Sequence, residues 1–145
     1  EKTMGVDMYL NAKRGLYEFR NDPEATWPGL PEGYKIDSIN VEAAYWRKAN
    51  HIHNWFVRNV QDGEDECRPH YVERDKLVEL IGICEQVLAD HSKAEELLPT
   101  VGGFFFGSTD YDQYYFDELR DTVEMLNKAL AAFDDTWSFE YQSSW

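Results

Sequence analysis

Residues 41–60 read VEAAYWRKANHIHNWFVRNV, and the way this stretch folds decides where the rest of the chain must go. Placed on a helical wheel at about 100° per residue, Val41, Ala44, Tyr45, Ala49, Ile52, Trp55, Phe56 and Val60 share one broad arc. Trp46 and Val57 widen it further. A surface helix needs a narrower apolar stripe, so the spacing predicts a central helix. Asn40 would cap its start, with Glu42 near the positive end. Arg47, His51, Asn54 and Arg58 fall on the remaining stripe, where such spacings make side chains neighbours. Lys48 and Asn59 lie inside the apolar arc. A lysine there must snorkel, pair with a carboxylate or meet an anionic ligand.

Working outward toward the N-terminus, residues 34–39 could form a short strand, and Pro23, Pro28, Gly29, Pro31 and Gly33 make residues 22–33 a loop. Residues 5–13 alternate, with Val6, Met8 and Leu10 on one side and Asp7, Tyr9 and Asn11 on the other. That period of two is a half-buried strand, which residues 16–20 could extend as a hairpin. Toward the C-terminus, Leu77, Leu80, Ile81, Cys84, Val87 and Leu88 mark the inner face of a helix over 73–90. Ser92 and Glu95 read as a capping box for a short helix that Pro99 stops. Ser108, Thr109 and Asp110 are candidate caps for a helix over 111–133, lined by Tyr115, Leu119, Val123, Leu126, Leu130 and Phe133. Residues 136–143 alternate again, with Trp137, Phe139 and Tyr141 inward, and this last strand pairs most simply with the first. The expected architecture is α+β in a single domain over 1–145: a small, mainly antiparallel sheet including the N- and C-terminal strands, packed by about three helices.

The net charge of −14 argues against direct nucleic-acid binding, which needs a basic face, and equally against binding an anionic membrane. No apolar run approaches the roughly 18 residues of a membrane span, so no membrane association is expected. Cys67 and Cys84 are isolated and lack zinc-site spacing. The content of 5 Trp, 9 Tyr and 8 Phe exceeds what one small core must hold, which is compatible with a homo-oligomer.

The leading candidate site is a pocket for a small anionic, nucleotide-like ligand. Arg47, Lys48 and Arg58 would supply its charge, His51, His53 and Asn54 further polar contacts, and Tyr45, Trp46 and Phe104, Phe105 and Phe106 flat surfaces for stacking. The turn VGGFFFGSTD over 101–110 would add backbone amides near Ser108 and Thr109 at the start of a helix. The alternative is that the arginines form surface ion pairs with the many carboxylates. His51 and His53, two apart, sit on different faces of a helix, so no metal site is expected there. No nucleophile elbow, phosphate-binding loop or catalytic cysteine signature is present, and no catalytic residue or cofactor is assigned. Acid–base chemistry by His51 or His53 with Asp110 or Asp112 stays open.

The segments AYWRKANHIHNWFV and FFFGSTDYD, with the opening MGVDMYL, resemble a family of small proteins encoded in phages, prophages and some bacteria. The resemblance covers residues 4–133. Members are sometimes labelled phosphoglycerate kinase. This chain is too short for a two-domain kinase and has no nucleotide-phosphate loop, so that label does not fit. The resemblance implies a mobile-element context and the cytoplasm of an infected host cell. The expected function is therefore non-enzymatic: a phage-type protein that sequesters a nucleotide-derived signal of host defence, of the cyclic ADP-ribose or cyclic dinucleotide type. The alternatives are an acidic DNA mimic that inhibits a host defence protein such as a CRISPR effector or restriction nuclease, and a small nucleotide hydrolase.

Overall fold

A computed structural model describes residues 5–16, 28–102 and 107–145. Four strands form one antiparallel sheet in the order β2-β1-β4-β3, with β1 at Asp7–Gly15, β2 at Ser38–Arg47, β3 at His70–Val72 and β4 at Ser138–Ser144. The helices are α1 (Asn50–Asn59), α2 (Arg74–Ala89), a short α3 (Ala94–Leu97) and α4 (Gln113–Ala132). The fold is α+β, with the first and last strands side by side at the centre of the sheet, as the two alternating segments imply.

Val6, Met8, Leu10 and Ala12 are fully buried on one side of β1. Leu10 faces Tyr141 and Ala12 faces Phe139 across the β1–β4 ladder. With Ala44, Trp46 and Val72 they form the floor on which the helices rest. Helix α1 is seated by Phe56, whose ring stacks flat on Tyr141 at 3.9 Å between centroids. Helix α2 contributes Leu77, Leu80, Ile81, Cys84 and Val87, and α4 contributes Tyr115, Phe116, Leu119, Thr122, Leu126 and Ala129. Each large apolar side chain so buried stabilises the fold by about 1.5–3 kcal/mol before entropy is counted.

The helix expected over 41–60 is half strand. β2 runs to Arg47, and only Asn50–Asn59 is helical, so Asn40 is a strand residue rather than a cap. The cause is a register shift. Leu10 pairs with Ala44 but Asn11 pairs with Glu42, which leaves Ala43 without an opposite residue on β1. A bulge of this kind spaces the successive inward positions Val41 and Ala44 three apart instead of two, and so imitates helical spacing. Residues 34–37 are irregular, and β2 begins only at Ser38. β1 pairs with β2 on one side and β4 on the other; the hairpin expected over 16–20 falls mostly outside the described residues.

Two caps also differ. Asp112, not Ser108, Thr109 or Asp110, caps α4, its Oδ1 accepting from the Tyr115 amide at 3.2 Å. In place of a capping box at Ser92, the Asp90 carboxylate accepts from the Ser92 amide at 3.1 Å and its hydroxyl at 2.6 Å, starting a 3-10 turn at His91–Lys93. β3 had no clear sequence signal. Among the described residues no helix is long and apolar enough to cross a membrane.

Arg74, at the start of α2, satisfies the carboxyl end of α4. Its guanidinium donates to the carbonyls of Phe133 at 2.6 Å and Leu130 at 2.9 Å, and lies 5.5 Å from the Phe139 ring centroid. Charged bonds to otherwise unmatched helix-end carbonyls are strong. Arg74→Ala should lower unfolding free energy in urea by about 1.5–3 kcal/mol, and Arg74→Lys by less, because lysine keeps the charge but loses the fork.

Candidate functional site

The site is organised by the corner at Lys48. Its backbone has φ of 57°, a left-handed conformation that non-glycine residues seldom adopt. This single residue ends β2 and directs the chain into α1 two residues later. The Lys48 amide donates to Val6 O at 2.8 Å, and its carbonyl accepts from the Asn50 amide at 3.0 Å. The stem of the side chain lies against two glycines. A Cβ at Gly5 would stand 2.5 Å from Lys48 Cε, and one at Gly107 would stand 3.1 Å from Lys48 O. Among the described residues its ammonium forms no ion pair.

Asn50 closes the base of the glycine-rich segment. Buried at 2% exposure, it donates from Nδ2 to Ser108 O at 2.7 Å and accepts at Oδ1 from the Val101 amide at 2.8 Å. One amide side chain thus bridges Val101 and Ser108. Phe104, Phe105 and Phe106, expected as stacking surfaces, lie outside the described residues.

Arg47, Lys48, His51, Gly107 and Ser108 line one cleft of about 290 Å³, together with Asp110, Asp112, Tyr114, Tyr115 and Glu118. The structure therefore brings four of the sequence-derived residues to a common space, and faces them with carboxylates. His51 is 2% exposed, its ring lies tilted against that of Tyr115 at 4.3 Å between centroids, and its Nε2 has no hydrogen-bond partner among the described residues. The nearest carboxylate oxygen is Glu118 Oε1 at 3.7 Å, beyond hydrogen-bond range. Burial pulls the His51 pKa down to about 4, so the ring is neutral at pH 7. Burial first, then the charges of Asp121 and Asp112, push the Glu118 carboxyl up to about 7. Lys48 is therefore a cation of the cleft without an ion pair among the described residues, beside a neutral imidazole and a carboxyl that changes protonation near neutrality, with Asp110 and Asp112 on the same lining.

Arg47 reaches this cleft already paired. Its Nη1 lies 2.6 Å from Asp7 Oδ1, and the Tyr45 hydroxyl donates to the same oxygen at 2.5 Å. The Tyr45 bond, followed by Arg47, holds the Asp7 carboxyl below its usual range. Tyr45 and Trp46 line a neighbouring cavity against α4, and Trp46 Nε1 donates to Thr122 Oγ1 at 2.9 Å. Asn54 and Arg58 open on a separate, smaller cleft with Glu79 and Glu96, which His51 also borders. Thr109 is exposed, and its carbonyl accepts from Thr100 Oγ1 at 2.9 Å. The predicted residues thus divide among three spaces, because Arg47 and Lys48 precede α1 rather than lying on it.

His53 faces away from His51. Its Nδ1 meets the Tyr141 hydroxyl at 2.6 Å and its Nε2 meets Asp65 Oδ1 at 2.8 Å. The order resembles a catalytic relay, but Tyr141 is fully buried, so this chain of bonds ties α1 to β4. The acidic segment at 62–66 is partly consumed in the same way: Asp65 binds His53, and Glu66 binds Arg68 at 2.8 Å. Among the described residues no three His, Cys, Asp or Glu side chains gather as a metal site would require.

Sequence reasoning missed Asn50 and Glu118 as site residues. Glu118 lies three residues after Tyr115 and four before Thr122, both buried, so the inner edge of α4 was its available signal. Asn50 gave none, since its partners are fifty residues away. No family model, curated protein or solved structure matches the chain. What fold and site define is an α+β domain with a cleft of mixed charge, Arg47 and Lys48 facing Asp110, Asp112 and Glu118, where an edge strand turns into a helix.

Asn50→Ala should cost about 1–3 kcal/mol in thermal or urea unfolding, because it removes two part-buried hydrogen bonds, one from the Val101 amide and one to Ser108 O. Asn50→Asp should recover only the Val101 half. A pH series tests Glu118. A carboxyl raised from 4.5 to about 7 by folding contributes stability fully below pH 4.5, and that contribution is lost as pH rises through 7. Glu118→Gln should therefore melt higher than the parent at pH 8 and close to it at pH 4.5. An equal difference at both values would contradict the raised carboxyl.

Proposed function

We propose that the cleft between Lys48 and Glu118 binds a small anionic, nucleotide-like molecule, and that the protein acts by holding it. The observation that carries this reading is the orphan Nε2 of His51. A polar atom without a partner among the described residues, on a residue 2% exposed, calls for one, and His51 lines a cleft that also receives an ammonium without an ion pair among the described residues. An anionic group at Lys48 would supply the missing counter-charge. A hydroxyl or ring heteroatom between His51 and Glu118 would complete Nε2. Asp110 and Asp112 suit sugar hydroxyls, which carboxylates accept from, and the ring of Tyr114, 79% exposed at the rim, offers a stacking face. A volume near 290 Å³ sits at the small end of ligand pockets and favours one nucleotide unit over a polymer. In the mobile-element setting that the sequence resemblance implies, such holding would withdraw a signalling nucleotide from host defence.

Titration calorimetry against mononucleotides, cyclic nucleotides and cyclic ADP-ribose tests this directly. One class should bind, should be recovered unaltered in mass, and should bind about ten- to a hundredfold more weakly to Lys48→Ala. Absence of heat with every nucleotide, or an affinity indifferent to Lys48→Ala, would overturn the reading.

A second reading rests on the Glu118 carboxyl, poised near pH 7 beside a neutral imidazole, which is the condition for proton transfer. Conversion of the bound nucleotide, abolished by Glu118→Gln, would replace sequestration by hydrolysis.

A further inference from the structure

A different part of the molecule offers an interaction surface. We propose that the outer edge of β2, with the flank of α4 beside it, docks an extended, basic peptide segment of a partner protein. β2 stands at the end of the sheet order, and among the described residues no strand pairs with its outer side. An edge strand carries a row of unmatched amides and carbonyls, and such edges are ordinarily blunted by lysine or proline. β2, SINVEAAYWR, has neither. Its one irregularity is the register shift at Ala43, which leaves the last four residues, through Arg47, as a regular stretch.

That stretch faces a groove of about 420 Å³ rather than open solvent. Trp46 and Met125 give it an apolar floor, and Glu118, Asp121, Glu124 and Lys128 line the α4 side. From Glu118 to Lys128 the helix advances roughly 15 Å, the length of four to five extended residues. Backbone pairing along β2 would hold the segment, while its side chains alternate between the floor and α4. Asp121 and Glu124, with Glu118 where it is ionised, outweigh one lysine on this wall and select positive side chains. Arg47 also borders the groove, but it is engaged by Asp7. A second copy of this chain is the poorer occupant. Each copy carries −14, and edge-to-edge pairing would bring the two sets of carboxylates together.

The test is fluorescence anisotropy with a labelled five-residue peptide of alternating lysine and valine. It should bind with micromolar affinity that falls as salt rises, and slow amide exchange within Ser38–Arg47. Methylating alternate backbone nitrogens of the peptide, or introducing Asp121→Lys with Glu124→Lys, should weaken binding at least about tenfold. Both substituted positions are exposed, so the variants should fold, and a circular dichroism melt checks this. The proposal is overturned if the methylated peptide or a glutamate–valine peptide binds equally well, or if no peptide binds. It is also overturned if sedimentation finds a dimer in which the β2 amides are already protected, since a second copy would then own the edge.

Discussion

Everything that could act on a ligand hangs from the left-handed turn at Lys48. A strand leaving the sheet there would ordinarily run on into solvent. The turn instead folds the chain back within two residues, so that Arg47 ends a strand and Asn50 begins a helix, with His51 in its first turn. The conformation is unfavourable for a lysine by roughly 1–2 kcal/mol. It is held by the bond from its amide to Val6 and by close contact with glycines on either side. The charge of this residue is therefore fixed in position by backbone geometry, where a lysine on a plain helix would sweep through solvent.

Around that corner the protein separates structural polar groups from available ones. His53 and His51 are two residues apart on one helix, and equally buried. His53 is saturated by Tyr141 and Asp65, so it behaves as a pin between α1 and β4. His51 has its ring tilted against Tyr115 and, toward Glu118, a nitrogen with no hydrogen-bond partner among the described residues. The difference is geometric: one points along the sheet toward a tyrosine hydroxyl, the other toward the gap between α1 and α4. Availability of a group for binding follows from what the fold fails to place against it.

The strong negative charge has a similar two-part origin. Several carboxylates work inside the structure, as the cap of α4, the start of the 3-10 turn and the partners of His53, Arg47 and Arg68. On α4 itself Asp117 pairs with Arg120, while the charges of Asp121 and Asp112 add to the burial that raises Glu118. One helix thereby supplies the acidic wall of both the Lys48 cleft and the β2 groove, with Glu118 between them.

Local pattern alone determined the alternating first and last strands, the long apolar stripes of α2 and α4, and hence the α+β class, because periodicity of two or of 3.6 is written into neighbouring residues. It also drew attention to Arg47, Lys48, His51 and Ser108, since cations and amides gathered in an acidic chain are visible without coordinates. Tertiary structure alone decided that 41–60 is a strand, a corner and a helix. Pairing with β1 absorbs a bulge there, and a bulge is a relation between two strands that one strand cannot reveal. The same holds for Asn50, whose partners are Val101 and Ser108, and for Glu118, whose altered acidity comes from burial and neighbours on a packed face. Sequence carries the periodicities that choose the elements; which polar group is left facing a cleft depends on contacts between elements far apart in the chain.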